Sequence, residues 1–198
     1  MIEPVVGPTT FASGDDREAS MSERPAGTVG EAKKSSIDPE SYAEQLLDDN
    51  RAGRCFICEL VSDASDEHVI YKDELCIALL PKYPTLRGRA LLAPIEHRTQ
   101  VVGDFSEADY LAIQSRVYRL GRAISTAFPT ERLYILSVGS NDGVAHVHWH
   151  VAPLPPGVPF MEQQFHALDI ANGYLALSED ELAAIASRIA DNLDGSVT

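Results

Sequence analysis

No apolar run in this 198-residue chain approaches the roughly 18 residues that a bilayer-spanning helix requires. Its first twenty residues lack the basic start and apolar middle of a secretory signal. These two absences point to a cytoplasmic protein with no membrane partner. Basic residues are scarce: 16 Lys and Arg stand against 30 Asp and Glu, a formal charge of -14 that excludes a broad electrostatic grip on nucleic acid. Any phosphate the chain binds must therefore be held locally. Cysteine is scarce too, and three of them form no even-numbered disulfide framework. Two stand as Cys55-Phe56-Ile57-Cys58, a pairing that in a reducing compartment more often binds metal or does redox work. No internal repeat interrupts the chain. What it does have is 44% apolar residues, enough to bury one core and not two.

Residues 1–36 mix Pro, Gly, Ser, Thr and charge with few large apolar groups, so a disordered tail is expected there. Asp38-Pro39 then reads as a helix start, followed by Tyr42, Ala43, Leu46 and Leu47, with an end near Gly53. Three apolar runs, 68–71, 75–80 and 89–95, are separated by turn residues and predict an antiparallel meander. Ser106 with Asp109 opens a long helix whose Ile113, Val117, Leu120, Ile124 and Phe128 recur at helical spacing. It should lie across one sheet face. Two further strands are expected over 133–138 and 145–152, after which Pro153-Leu154-Pro155-Pro156-Gly157 should forbid regular structure. The capping box Ser178-x-x-Glu181 announces a last helix carrying Leu182, Ile185, Ile189 and Leu193 on one face. The fold class is α+β: an antiparallel β-sheet meander packed with a long helix.

The most informative segment is His146-Val147-His148-Trp149-His150-Val151-Ala152. Side chains alternate along a strand, which puts the three imidazoles on one rail and Val147, Trp149 and Val151 in the core. With six His in the chain, three at alternate positions of one pentapeptide arise by chance roughly once in two hundred such compositions, so solvated edge histidines are the weaker reading. A neutral imidazole nitrogen is a good nucleophile toward phosphorus, and neighbouring rings can polarise the phosphoryl group or protonate the leaving group. The same row could instead bind one catalytic metal ion directly, although such sites often recruit a carboxylate as well.

His-x-His-x-His followed by apolar residues, with Cys55-x-x-Cys58 upstream, resembles the histidine triad superfamily of nucleotide hydrolases and transferases. The resemblance runs over about residues 54–155 and includes Pro84-Thr85-Leu86-Arg87-Gly88-Arg89-Ala90-Leu91-Leu92-Ala93-Pro94-Ile95-Glu96-His97. It implies a histidine-triad-like domain over 37–155, with a tail before it and a helical C-terminal extension over 156–198. It further implies that His148 attacks the α-phosphorus of a nucleotide ester, anhydride or phosphoramidate, forming a nucleotidyl-histidine. His150 would contact the transferred phosphoryl group or the leaving oxygen, and the backbone around Asn141 and Gly143 would bind substrate. Some members bind zinc at positions matching Cys55, Cys58, His97 and His146, a Cys2His2 set suited to a tetrahedral structural ion. The alternatives for the cysteines are two small core residues, or a redox dithiol, which would want a helix starting right after Cys55. Members of this superfamily pair through the sheet edge and long helix, so a homodimer is expected.

The chain departs from that pattern in three places. The turn before the triad lacks the usual Gln and Ser or Thr pair, and the position that usually carries a ribose-binding carboxylate falls near Pro81-Lys82, where there is none, so the sugar contact differs or is absent. A basic cluster, Lys82, Arg87 and Arg89, either attracts phosphates or is a solvated loop. The segment 153–168, with Phe160 and Phe165, could cap the site or reach across a dimer. Cys76 and Trp149 read as core, and His68 and His166, without partners by spacing, as surface or hydrogen-bonded residues. The function expected is that of a nucleotidyl hydrolase or transferase needing no metal for the chemical step. The alternatives are a zinc-stabilised nucleotide-binding module with little catalysis and a metallohydrolase using all three histidines. Base, leaving group and acceptor depend on pocket shape and are not legible in motifs.

Overall fold

The computed structural model describes residues 34–36, 38–62, 69–138 and 144–193, all within one compact unit of residues 32–198. Helix α1 (Pro39–Arg51) starts as expected: Asp38 caps it by accepting from the Ser41 N–H at 3.2 Å, and the chain leaves it through Gly53 at φ 71°. A short helix α2 (Phe56–Ser62) follows at once.

Strands β2 (Val69–Lys72), β3 (Cys76–Leu79) and β4 (Ala90–Pro94) form the antiparallel meander. Helix α3 (Glu107–Ala127) then carries the chain across the sheet to β5 (Arg132–Leu136), and β6 (Trp149–Leu154) returns between β4 and β5. The strand order is therefore β2-β3-β4-β6-β5, with β6, which carries His150, inside the sheet and β5 at one edge. Short helix α4 (Phe165–Leu168), strand β7 (Tyr174–Leu175) and helix α5 (Glu179–Ala190) complete the unit. Strand β7 pairs with β1 (Lys34–Ser35), and α5 begins with the capping box read from the sequence. No helix among the described residues is long and apolar enough to cross a membrane.

Strand alternation sorts the two sheet faces. Cys76, Ala78, Ala90, Leu92, Trp149 and Val151 pack against Ile113, Val117, Leu120 and Ile124 of α3 and Leu182, Ile185 and Ile189 of α5. Each such fully buried Leu or Ile contributes roughly 1.5–3 kcal/mol. On the other face, Ile77, Leu79, Leu91 and Ala93 meet Ile57 of α2, while Ala152 and Leu154 meet Ala167 of α4 and Leu86. Two expectations are corrected. Strand β6 begins at Trp149 rather than 145, because the Val147 N–H donates to Arg98 O at 2.7 Å instead of joining a ladder. It also runs on through Pro153 to Leu154. Pro153 pairs only with Leu133 of β5, beyond the point where β4 stops pairing, so its missing N–H breaks no β4 bond.

One glycine sets the loop leading into β4. Gly88 has φ 83°, and a Cβ there would stand 2.6 Å from the Phe128 ring at the end of α3. Gly88→Ala therefore incurs both left-handed backbone strain and a clash with a buried ring. We expect a loss of about 2–4 kcal/mol, read as a lower urea midpoint at unchanged slope.

Candidate functional site

Two groups of side chains sit at the end of the sheet where β4 and β6 meet. In the first, Cys55 Sγ lies 3.5 Å from His146 Nδ1, and Cys58 Sγ lies 3.5 Å from the same nitrogen and 3.3 Å from His97 Nδ1. All four donor atoms fall within 4.8 Å of one another. A tetrahedral zinc with two sulfur and two nitrogen ligands needs neighbouring donors about 3.3–3.8 Å apart, so the set fits. His146 is fully buried, and its Nε2–H donates to Pro94 O at 3.0 Å, which leaves the Nδ1 lone pair facing the thiols. That is the second hydrogen bond a metal-binding imidazole ordinarily makes. Helix α2 does begin immediately after Cys55, as a redox dithiol would require. Burial and the neighbouring Cys55 push the Cys58 thiol up to about 11.

The second group is His148 with His150. Their rings lie edge to face, centroids 4.8 Å apart, while the His146 ring packs at 4.8 Å against His97 instead. The single rail of three imidazoles expected from alternation is thus divided, because His146 precedes the ladder and turns toward the thiols. A three-histidine catalytic metal site is not formed. The core half of the expectation holds: Val147, Trp149 and Val151 are buried, and Trp149 packs edge to face on Phe105 and Tyr110.

His148 is 8% exposed, and its Nδ1–H donates to His146 O at 2.9 Å. A carbonyl can only accept, so the one proton of the neutral ring sits on Nδ1 and Nε2 keeps its lone pair. Burial lowers the His148 pKa and outweighs the carbonyl bond, which keeps the ring neutral near pH 7. His150 is pushed down to about 3 by burial first and by the charge of Arg89 second. Its Nδ1 lies 3.1 Å from Arg89 Nη2.

His150 lines a cavity of about 540 Å³ together with Arg89, Leu136, Val138, Phe165 and His166. His148 is not among the residues that line it; its ring packs edge to face on His150. The 153–168 segment caps this cavity within the chain itself, through Phe165 and His166 of α4. Of the basic cluster, Arg89 alone reaches the site: Arg87 pairs with Glu181 at 3.6 Å, and Lys82 lies over the Tyr83 ring. His166, read as a surface or hydrogen-bonded residue, belongs to the cavity wall. No spacing signal connects it to the triad, sixteen positions earlier in its nearest member. Asn141, Gly143 and His68 lie outside the described residues. Cys76 is a core thiol, fully buried and raised to about 12 by burial, with Sγ 3.4 Å from Tyr71 Oη.

The depressed His150 pKa has a sign that can be measured. The unfolded ring takes a proton near pH 6.5 and the folded one does not until about 3, so stability is present above 6.5 and falls as pH drops below it. We expect up to about 1.4 kcal/mol lost per pH unit from this residue. Urea midpoints at pH 7.5 and 5.5 should differ less in His150→Gln than in the wild type.

Comparison with known proteins agrees with this geometry. A family model described as HIT domain matches residues 62–156. An uncharacterized HIT-like protein of Mycobacterium tuberculosis is 32% identical over 107 residues, covering 50% of this chain and 70% of that one. A zinc-bound histidine triad family protein of Mycobacterium smegmatis shares the fold at TM-score 0.57 and 21% identity, covering 72% of this chain and 97% of that one. A uridylyltransferase does so at TM-score 0.56 and 15% identity, over 82% of this chain and 53% of that one. The matched family region holds the sheet, α3 and the triad but neither the cysteine pair nor the α4 wall of the cavity. With the triad running into β6 and a relative of this identity and coverage, the chain belongs to the HIT family, whose members include nucleotide hydrolases and transferases.

Proposed function

We propose that the chain is a nucleotidyl hydrolase or transferase in which His148 is the nucleophile. The observation that carries this reading is the pair of hydrogen bonds on His146 and His148. The first turns His146 away to the thiols, and the second leaves a lone pair on His148 Nε2 beside His150. In the first step Nε2 forms a bond to the α-phosphorus of a bound nucleotide, the bond from phosphorus to the leaving group breaks, and the leaving group departs with that electron pair. In the second step water or another acceptor attacks the same phosphorus, the N–P bond breaks, and the ring recovers its lone pair. Two moderate displacements replace one difficult one. The negative charge on the phosphoryl oxygens is stabilised by His150.

Zinc would be held by Cys55, Cys58, His97 and His146. It would supply no reacting atom; it would tie the start of α2 to the loop after β4 and to the residue two before the nucleophile. A homodimer is supported by the edge position of β5, where Ile135 and, just beyond the strand, Val138 are 47% and 68% exposed.

The test is chemical trapping. Acid-quenched reactions with a nucleotide labelled at the α-phosphorus should leave label on His148, located by peptide mass spectrometry. Tight nucleotide binding with no label and no turnover across esters, anhydrides and phosphoramidates would instead favour a binding module.

A further inference from the structure

Arg89 stands immediately before β4, and its guanidinium is held in place from three sides. Nη1 donates to Thr85 Oγ1 at 2.9 Å and to Leu168 O at 3.0 Å, and Nη2 lies 3.1 Å from His150 Nδ1. Thr85 is 1% exposed, so one anchor is fixed in the interior, and the other comes from α4, outside the region matched by the family model. Among the described residues no carboxylate comes within ion-pair distance of this guanidinium. The acidic residue in the same cavity wall, Asp169, instead accepts from the Ala171 N–H at 2.9 Å. An arginine used to neutralise an acid would not be arranged this way.

The contact with His150 fixes a proton. A guanidinium has five N–H groups and no acceptor, so the Nη2–His150 hydrogen bond exists only if Nδ1 carries a lone pair. The one proton of the neutral ring is then on Nε2. His148 is in the opposite tautomer, since its Nδ1–H donates to His146 O. The two adjacent rings therefore present complementary nitrogens: a lone pair on His148 Nε2 and an N–H on His150 Nε2.

We propose that Arg89 is a positioning residue that acts through His150, holding it as a fixed Nε2–H hydrogen-bond donor to the phosphoryl group rather than as a carrier of the leaving group's proton. This rests on the function proposed above for its catalytic consequence, but not for its structural claim. A second protonation, which a proton carrier needs, would have to occur at Nδ1, the atom facing a permanent cation. Burial and that cation both oppose it. The C-terminal segment takes part, because Leu168 O holds the other arm of the same guanidinium.

Two measurements decide the proposal. Long-range proton–nitrogen correlation spectra of the 15N-histidine-labelled wild-type protein at pH 7 should show His150 with a bare Nδ1 and a protonated Nε2. In Arg89→Met the same ring should become a mixture of tautomers. A wild-type His150 protonated at Nδ1, or already mixed, overturns the proposal whatever the activity and whether or not the variant folds. The second measurement is a double-mutant cycle on kcat with an anhydride substrate. If Arg89 acts through His150, Arg89→Met and His150→Gln should each lower kcat by about 10²-fold, and the double variant should be no slower than His150→Gln alone. Multiplying effects would mean that Arg89 contacts substrate independently, and would overturn the positioning role. A wild type without nucleotidyl activity would defeat the proposed function, while the tautomer spectra would still decide the role of Arg89.

Discussion

His148→Ala should lower kcat at the α-phosphorus by about 10⁴-fold or more and abolish the trapped nucleotidyl intermediate. The size of the effect follows from the role. Removing the atom that bonds to phosphorus ends the two-step route, and only the stabilisation from His150 remains for direct attack by water. The fold should survive. The ring is 8% exposed and, among the described residues, its one hydrogen bond goes to His146 O, so the truncation leaves that carbonyl unpaired and a small void. That costs about 1–3 kcal/mol, or roughly 2–10 °C in Tm for a chain of this size. His148→Asn offers an N–H in place of the ring's and should lose less stability with the same loss of turnover. Retained turnover in a folded His148 variant would remove the nucleophile assignment.

Cys58→Ser should release zinc and lower Tm on the order of 10 °C, with a smaller drop for Cys55→Ser. The ranking follows from geometry: Cys58 Sγ lies within 3.5 Å of a nitrogen of both His97 and His146, whereas of these two rings Cys55 Sγ comes that close to His146 alone. A ligand bound about a thousandfold below its free concentration adds about 4 kcal/mol of stability, and each kcal/mol moves Tm by roughly 2–4 °C in a chain of this size. The loss should be structural first. At temperatures where the zinc-free protein stays folded, kcat should persist in part, because no donor of that cluster faces the His148–His150 pair. Mass-spectrometric metal analysis with calorimetry checks both halves. Wild-type protein that purifies without metal and is fully stable would end the zinc assignment.

Much of the scaffold was written locally. The period of Ile113, Val117, Leu120 and Ile124 in α3, and the Ser178–Glu181 capping box of α5, depend only on residues three or four apart. So does the burial of Trp149 and Val151, which needs nothing beyond strand alternation. The Cys55, Cys58, His97 and His146 set was legible because thiols and imidazoles are rare in this chain, and the structure does bring them together. Alternation failed at His146 because a period-two rule applies only where a ladder holds the backbone. There the chain leaves the ladder to bond to Arg98 O.

The remaining features of the site depend on where distant segments meet. Arg89 reaches His150 across 61 positions and Leu168 O across 79, and no spacing rule distinguishes it from its neighbour Arg87, which faces solvent and Glu181. The same holds for Phe165 and His166 in the cavity wall, and for β6 taking its place between β4 and β5. By itself the sequence determined which residue types could do phosphoryl chemistry and which faces would be buried, because periodicity and side-chain chemistry are short-range properties. Only the tertiary structure decided which histidine gives a lone pair and which an N–H, because a ring's tautomer is set by whatever partner the fold places against its other nitrogen.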